Sequence, residues 1–137
     1  MPALDRFVRA QETTWPDALA ELRAGAKRSH WMWFVFPQLA GLGHSSTARH
    51  YAIEDLTEAR AYLAHPVLGP RLVEATQSLL EHRSHAPEAI LGPIDAMKLR
   101  SSLTLFEAAG GDPVFAEALD AFYGGERDPL TLALLKR

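Results

Sequence analysis

Apolar residues recur along this chain at intervals of three and four, the spacing of one face of an α-helix. Leu4, Phe7 and Val8 open the pattern and predict a short first helix over 4–11. Pro16 suits the first position of a second helix, where its missing N–H costs nothing, and Asp17 just inside complements the helix dipole. That helix is expected from Pro16 to Lys27, with Leu19, Leu22 and Ala26 on one stripe. Ser45 or Ser46 can cap a helix covering His50 to Ile53, and Leu56, Ala59 and Leu63 continue the spacing towards His65. Pro66 reads as another helix start, followed by the stripe Leu68, Leu72, Ala75, Thr76, Leu79 and Leu80. Gly92-Pro93 opens a helix carrying Ala96, Leu99, Leu103 and Phe106, which Gly110-Gly111 ends. Asp112-Pro113 caps the next, with Phe115, Leu119 and Phe122, ended by Gly124-Gly125; Asp128-Pro129 starts the last, with Leu132 and Leu135. Proline starts and glycine stops agree repeatedly with the periodicity. The expectation is an all-α fold, a compact non-repeat bundle of about seven to nine short helices, forming one domain over 1–137.

One segment departs from the pattern. Ser29-His30-Trp31-Met32-Trp33-Phe34-Val35-Phe36-Pro37-Gln38 holds two of the three Trp and two of the six Phe. As a strand it would be apolar on both faces, with Met32, Phe34 and Phe36 on one and Trp31, Trp33 and Val35 on the other. As a helix it would take Ser29 as its N-cap, and Pro37 would push Phe36 out of the helical region. A lone strand leaves its backbone groups unsatisfied, and no credible strand partner appears, so a short buried helix is favoured over the strand. Four aromatics in succession cannot all face one way, so one or two are expected to reach a surface or cavity, Trp31 first among them.

Composition narrows the chemistry. The chain has 137 residues, is 47% hydrophobic and 23% charged, and carries a net charge of −3, which gives no basic footprint for duplex nucleic acid. A local cluster of Lys and Arg can still hold one phosphate. There is no cysteine, so disulfides, thiolate metal sites and a Cys nucleophile are excluded. The N-terminus has no apolar signal core and no run approaches a membrane span, so a cytoplasmic protein with no membrane partner is expected. No HExxH, GxSxG, Walker A or strand-following GxGxxG occurs, and neither a metal nor a cofactor is expected. His82 and His85 stand i,i+3, a spacing better explained by a helix end, where cations are favoured.

Two segments hold polar residues in apolar company. In the helix from Pro93, Asp95, Lys98 and Ser102 share a face beside the Ala96/Leu99/Leu103 stripe: Lys can hold an anion, Asp can orient or deprotonate, Ser can donate a hydrogen bond. The competing account is a dipole-favoured carboxylate in the first turn with an i,i+3 ion pair. Around the aromatic run, Arg23, Lys27, Arg28, His30, His44, Arg49 and His50 are cationic or can become so. There Gly41-Leu42-Gly43-His44-Ser45-Ser46 leads into a helix N-terminus, either as a phosphate-binding loop or as a plain connection with a Ser cap.

The run from Ser29 to Gly43, together with Ala52-Ile53, Tyr62-Leu63-Ala64-His65-Pro66 and Lys98-Leu99-Arg100-Ser101-Ser102-Leu103-Thr104-Leu105-Phe106, resembles a bacterial family of unknown function. Its members are often labelled "calpastatin". The resemblance extends from Leu4-Asp5-Arg6-Phe7 to Thr131-Leu132 and implies a small, mainly helical single domain with no assigned catalytic residues. Calpastatin proper is a disordered calpain inhibitor, whereas a chain with this much apolar periodicity should fold. A parallel with small domains of the NADAR type, which act on ADP-ribose, is one of theme alone.

The function expected from these residues is binding of a small anion, nucleotide or ADP-ribose-like ligand between the run 29–38 and the helix 93–108, with hydrolysis as a further step. Trp31 would stack on a planar ring. Lys27, Arg49 and Lys98 would hold phosphate or carboxylate, Ser29, Gln38 and Ser102 would complete the binding set, and Asp95 and His30 are the acid–base candidates. The alternative is a protein-interaction module without chemistry, favoured by an exposed apolar patch at Phe34 and Phe36.

Overall fold

The computed structural model describes residues 2–136. Among them the chain forms a 3-10 turn over Pro2–Leu4 and nine α-helices: α1 Asp5–Ala24, α2 Met32–Val35, α3 Ser46–His50, α4 Leu56–Ala64, α5 Leu68–Leu80, α6 Pro87–Leu91, α7 Pro93–Ala108, α8 Val114–Tyr123 and α9 Pro129–Leu135. The fold is all-α. Leu39 and Ile53 form an isolated parallel bridge, and no strand is found among the described residues.

The two helices expected before residue 28 are one. Pro16 lies inside α1 rather than at a helix start. A proline there removes the hydrogen bond to the carbonyl of Glu12 at a cost of about 3 kcal/mol. Glu12 and Pro16 are both exposed, so water can reach the freed carbonyl. The opposite face outweighs the loss: Phe7, Gln11, Trp15, Ala18 and Leu22 are buried at helical spacing. Gln11 and Trp15 are the stripe positions that the sequence pattern overlooked. The helix ends in a Schellman turn, with Gly25 in the left-handed region at φ 70°, Gly25 N–H donating to Leu22 O and Ala26 N–H to Glu21 O.

Other boundaries shift for local reasons. The aromatic run makes a single helical turn, α2, with Trp31 at its N-cap position and no side-chain cap; Ser29 is therefore not a cap. Ser45 Oγ accepts from Ala48 N–H and starts α3, which ends at His50, so Ile53 is free to pair with Leu39. Asp55 caps α4. α5 starts at Leu68, two residues beyond Pro66, because His65 Nδ1 accepts the N–H groups of Val67 and Leu68. The starts at Pro93, Asp112 and Asp128 stand as expected: Asp112 accepts from Val114 N–H and Asp128 from Thr131 N–H.

α7 is the central helix, packed against α4, α6, α8 and α9. Its residues 101–106 are all buried, so its second half is enclosed on every side. A chain of aromatic contacts crosses the core from α1 to α8, through Phe7–Tyr62 at 5.2 Å, Tyr62–Phe106 at 5.3 Å and Phe106–Phe115 at 6.1 Å. Among the described residues no helix is long and apolar enough to cross a membrane.

Candidate functional site

The turn after α1 sets the site. Lys27 N–H donates to Ile90 O at 2.9 Å, which ties the segment after α1 to the end of α6. The next helix, α7, starts two residues beyond α6, and its first turn carries Asp95. Lys27 Nζ therefore lies 2.9 Å from Asp95 Oδ2, and Lys98 Nζ, one turn along α7, lies 3.7 Å from Oδ1. Both ammonium groups also sit over indole rings, Lys27 5.2 Å from the Trp31 centroid and Lys98 5.0 Å from that of Trp33. The three charged side chains are 11%, 19% and 23% exposed, so the cluster is shielded without being sealed. Two ammonium groups share one carboxylate, leaving a net charge of +1 where desolvation makes it matter.

Glu21 fixes the aromatic run from behind. Its carboxylate accepts from Arg28 N–H at 2.6 Å, Ser29 N–H at 2.9 Å, Ser29 Oγ at 2.6 Å and Trp31 Nε1 at 3.0 Å. Burial pushes this carboxyl up, but the hydrogen bonds from Ser29, Arg28 and Trp31 outweigh it and hold the group at about 2, below the ordinary 4.5. The indole that Lys27 rests on is thus locked by a group in the last turn of α1.

Lys98 also borders a cleft of about 240 Å³, between the segment 38–43, α7 and the start of α9. Gln38 and Gly43 face Lys98, Arg100 and Ser101 there, and Leu42, Ile94, Met97 and Leu130 supply apolar walls. Gln38 is positioned through its backbone: its carbonyl accepts from Ile53 N–H at 2.8 Å, and Ala40 N–H donates to Ile53 O at 2.8 Å. Gly43 is required by close approach, since a Cβ there would stand 2.5 Å from the Ala48 Cβ. Arg100 is held by Glu126 and Asp128. A larger, open groove of about 740 Å³ runs between α4, α5 and the α7–α8 turn. Its charges are committed: Arg60 donates to Ala109 O, Glu74 pairs with Arg23, and Asp112 caps α8.

Of the residues expected at the site, Lys27, Asp95 and Lys98 form one cluster and Gln38 shares the cleft with Lys98. Trp31 is 0% exposed, with its N–H on Glu21, so it offers no face to a ligand and is not a stacking platform. Ser29 is likewise committed to Glu21. Ser102 is fully buried and its hydroxyl has no partner among the described residues. His30 and Arg49 are exposed and are not among the residues lining this cleft. Asp95 has both oxygens engaged by ammonium groups, so it and His30 are not assembled as an acid–base pair. Phe34 and Phe36 are buried, so no apolar patch forms there. Among the described residues no group of three or more His, Asp or Glu could hold a metal. Sequence reasoning missed Trp33, half-buried beneath Lys98, and Glu21. Trp33 was legible as one of the run's two indoles, whereas nothing in the spacing marks Glu21 among the other acidic residues of α1.

The comparisons with known proteins bear on the whole chain. A family model described as "Protein of unknown function (DUF1810)" matches residues 2–135. The crystal structure of the conserved hypothetical protein Rv1873 from Mycobacterium tuberculosis is similar throughout, with 50% sequence identity, a TM-score of 0.95, and coverage of 98% of this chain and 96% of that one. No curated protein matches the chain. Neither of the two descriptions mentions calpastatin.

Proposed function

Because the chain belongs to the DUF1810 family, a family of unknown function, its role has to be argued from its own side chains, and we propose that it is a ligand-binding domain that holds a small anion at Lys98. The observation that carries this reading is the sharing of one carboxylate by two ammonium groups. Lys27 and Lys98 repel each other across Asp95, and an incoming anion at the cleft relieves that repulsion. Gln38 can donate its amide, and Ser101 lies on the same wall. The nucleotide and ADP-ribose-like form of this reading has less support, since no aromatic side chain lines the cleft and Trp31 is enclosed. Hydrolysis has no support from Asp95, which is engaged on both oxygens, or from His30, which stands away from the cleft lining. The reading is therefore of binding, without a chemical step.

The test is a thermal-shift series with inorganic phosphate, short carboxylates, AMP, NAD and ADP-ribose on the wild type and Lys98→Ala. An anion at 100 times its Kd adds about 2.7 kcal/mol, which is several degrees for a domain of this size. A shift in the wild type that is absent from folded Lys98→Ala supports the reading. No shift with any anion, or an equal shift in both proteins, refutes it.

A further inference from the structure

The same cleft carries a second property that a bare anion does not explain. Five large apolar side chains are exposed among the described residues, and the three most exposed all border this cleft: Ile94 at 70%, Met97 at 73% and Leu130 at 65%. Ile94 and Met97 lie one turn apart on α7, Leu130 comes from the first turn of α9, and Leu42 adds a fourth aliphatic wall from the loop. Single exposed aliphatics are ordinary, but convergence of three from two helices on one depression marks a binding surface. No aromatic ring lines the cleft, so nothing there stacks on a base. At one side stands Lys98, whose cluster carries a single net positive charge. Arg100 is shared by Glu126 and Asp128, a group of net charge −1, and Asp128 also lines the cleft.

We propose that the ligand of this cleft is a small aliphatic carboxylate, its head on Lys98 and Gln38 and its hydrocarbon body against Leu42, Ile94, Met97 and Leu130. The proposal rests on the anion-binding reading and narrows it to one class. One ammonium group beside the Asp128 carboxylate suits a singly charged head better than a multiply charged one, and an aliphatic body covers the side chains that water otherwise meets. A volume of about 240 Å³ admits a chain of a few carbons and leaves no room for a dinucleotide.

The experiment is a titration of the protein with acetate, butyrate, hexanoate and octanoate, and with inorganic phosphate, followed through the methyl resonances of Ile94, Met97 and Leu130. Affinity is expected to rise by up to about fourfold per added methylene as hydrocarbon leaves water. Met97→Ser with Leu130→Ser should flatten that dependence while the fold persists, both positions being exposed. Lys98→Met should weaken every acid by about tenfold or more. A response to acetate and phosphate that does not grow with chain length overturns the aliphatic-acid assignment and leaves the anion site standing. Chain-length dependence that survives in the double Ser variant overturns it too, since the acids then bind elsewhere. No response to any of these anions removes both readings.

Discussion

Replacing Glu21 by Gln tests how the aromatic run is held. The carboxylate accepts four hydrogen bonds, from two backbone N–H groups, one hydroxyl and one indole. A neutral amide keeps the shape but has one acceptor oxygen, and its NH2 faces donors. The drop from 4.5 to about 2 sets an upper bound of about 3 kcal/mol on the ionised group's contribution. Glu21 is only partly buried, so screening by solvent reduces the expected loss to about 1–2 kcal/mol at pH 7. The pH dependence has a definite sign. A carboxylate held below its unfolded value stabilises the fold fully above about 4.5 and loses that contribution as pH falls through about 2. Urea unfolding at pH 7, 5, 3.5 and 2.5 should show the wild type ahead of Glu21→Gln by a constant margin down to pH 5. The margin should then shrink, to about a quarter of its full size at pH 2.5. The fluorescence of Trp31 should shift in the variant, because its N–H loses its acceptor. A margin that stays undiminished at pH 2.5, or is absent at pH 7, refutes the account.

Three further substitutions probe the surroundings. Ser102→Ala removes a fully buried hydroxyl that has no partner among the described residues, so it should leave stability unchanged or raise it by up to about 1 kcal/mol in denaturant unfolding, with anion binding at Lys98 intact; a loss above that size would mean the hydroxyl is bonded. Asp128→Ala strips the α9 cap together with the acceptor of Ser101 and Thr131, and a loss of about 2–4 kcal/mol in the same assay is expected. Gly43→Ala drives a methyl against Ala48; about 1–3 kcal/mol of stability should go, with weakened anion binding as the cleft wall moves, and unaltered affinity would show that Gly43 does not shape it.

Much of this was readable in the chain because helix boundaries are local chemistry. Pro93, Asp112 and Asp128 act within three or four residues of themselves, so their elements fall where the pattern predicts. Asp95 and Lys98 were legible for the same reason. Pro16 misled because its local penalty is outweighed by a tertiary face that includes Gln11, whose amide donates to Phe34 O at 2.6 Å, a contact twenty-three residues away. The pairing of Lys27 with Asp95 was out of reach for the same kind of reason: it depends on a backbone bond from Lys27 to Ile90 and on the length of α6. Trp31 and Trp33 differ by two positions in sequence and are opposite in role, because one indole N–H found Glu21 and the other ring stayed at the surface beneath Lys98.

The bond from the Asp128 N–H to Thr104 Oγ1, and that from Ser101 Oγ to the Asp128 carboxylate, also make the central helix depend on a segment more than twenty residues further along the chain. Until residue 128 has docked, the middle of α7 lacks these two partners, and the face it presents to α9 stays uncovered. A chain in which this segment is undocked therefore holds its central helix unfinished, in the state where aggregation competes with folding. The segment that brings Asp128 also brings Leu130 to the cleft, so the cleft is completed by the same docking step that finishes α7.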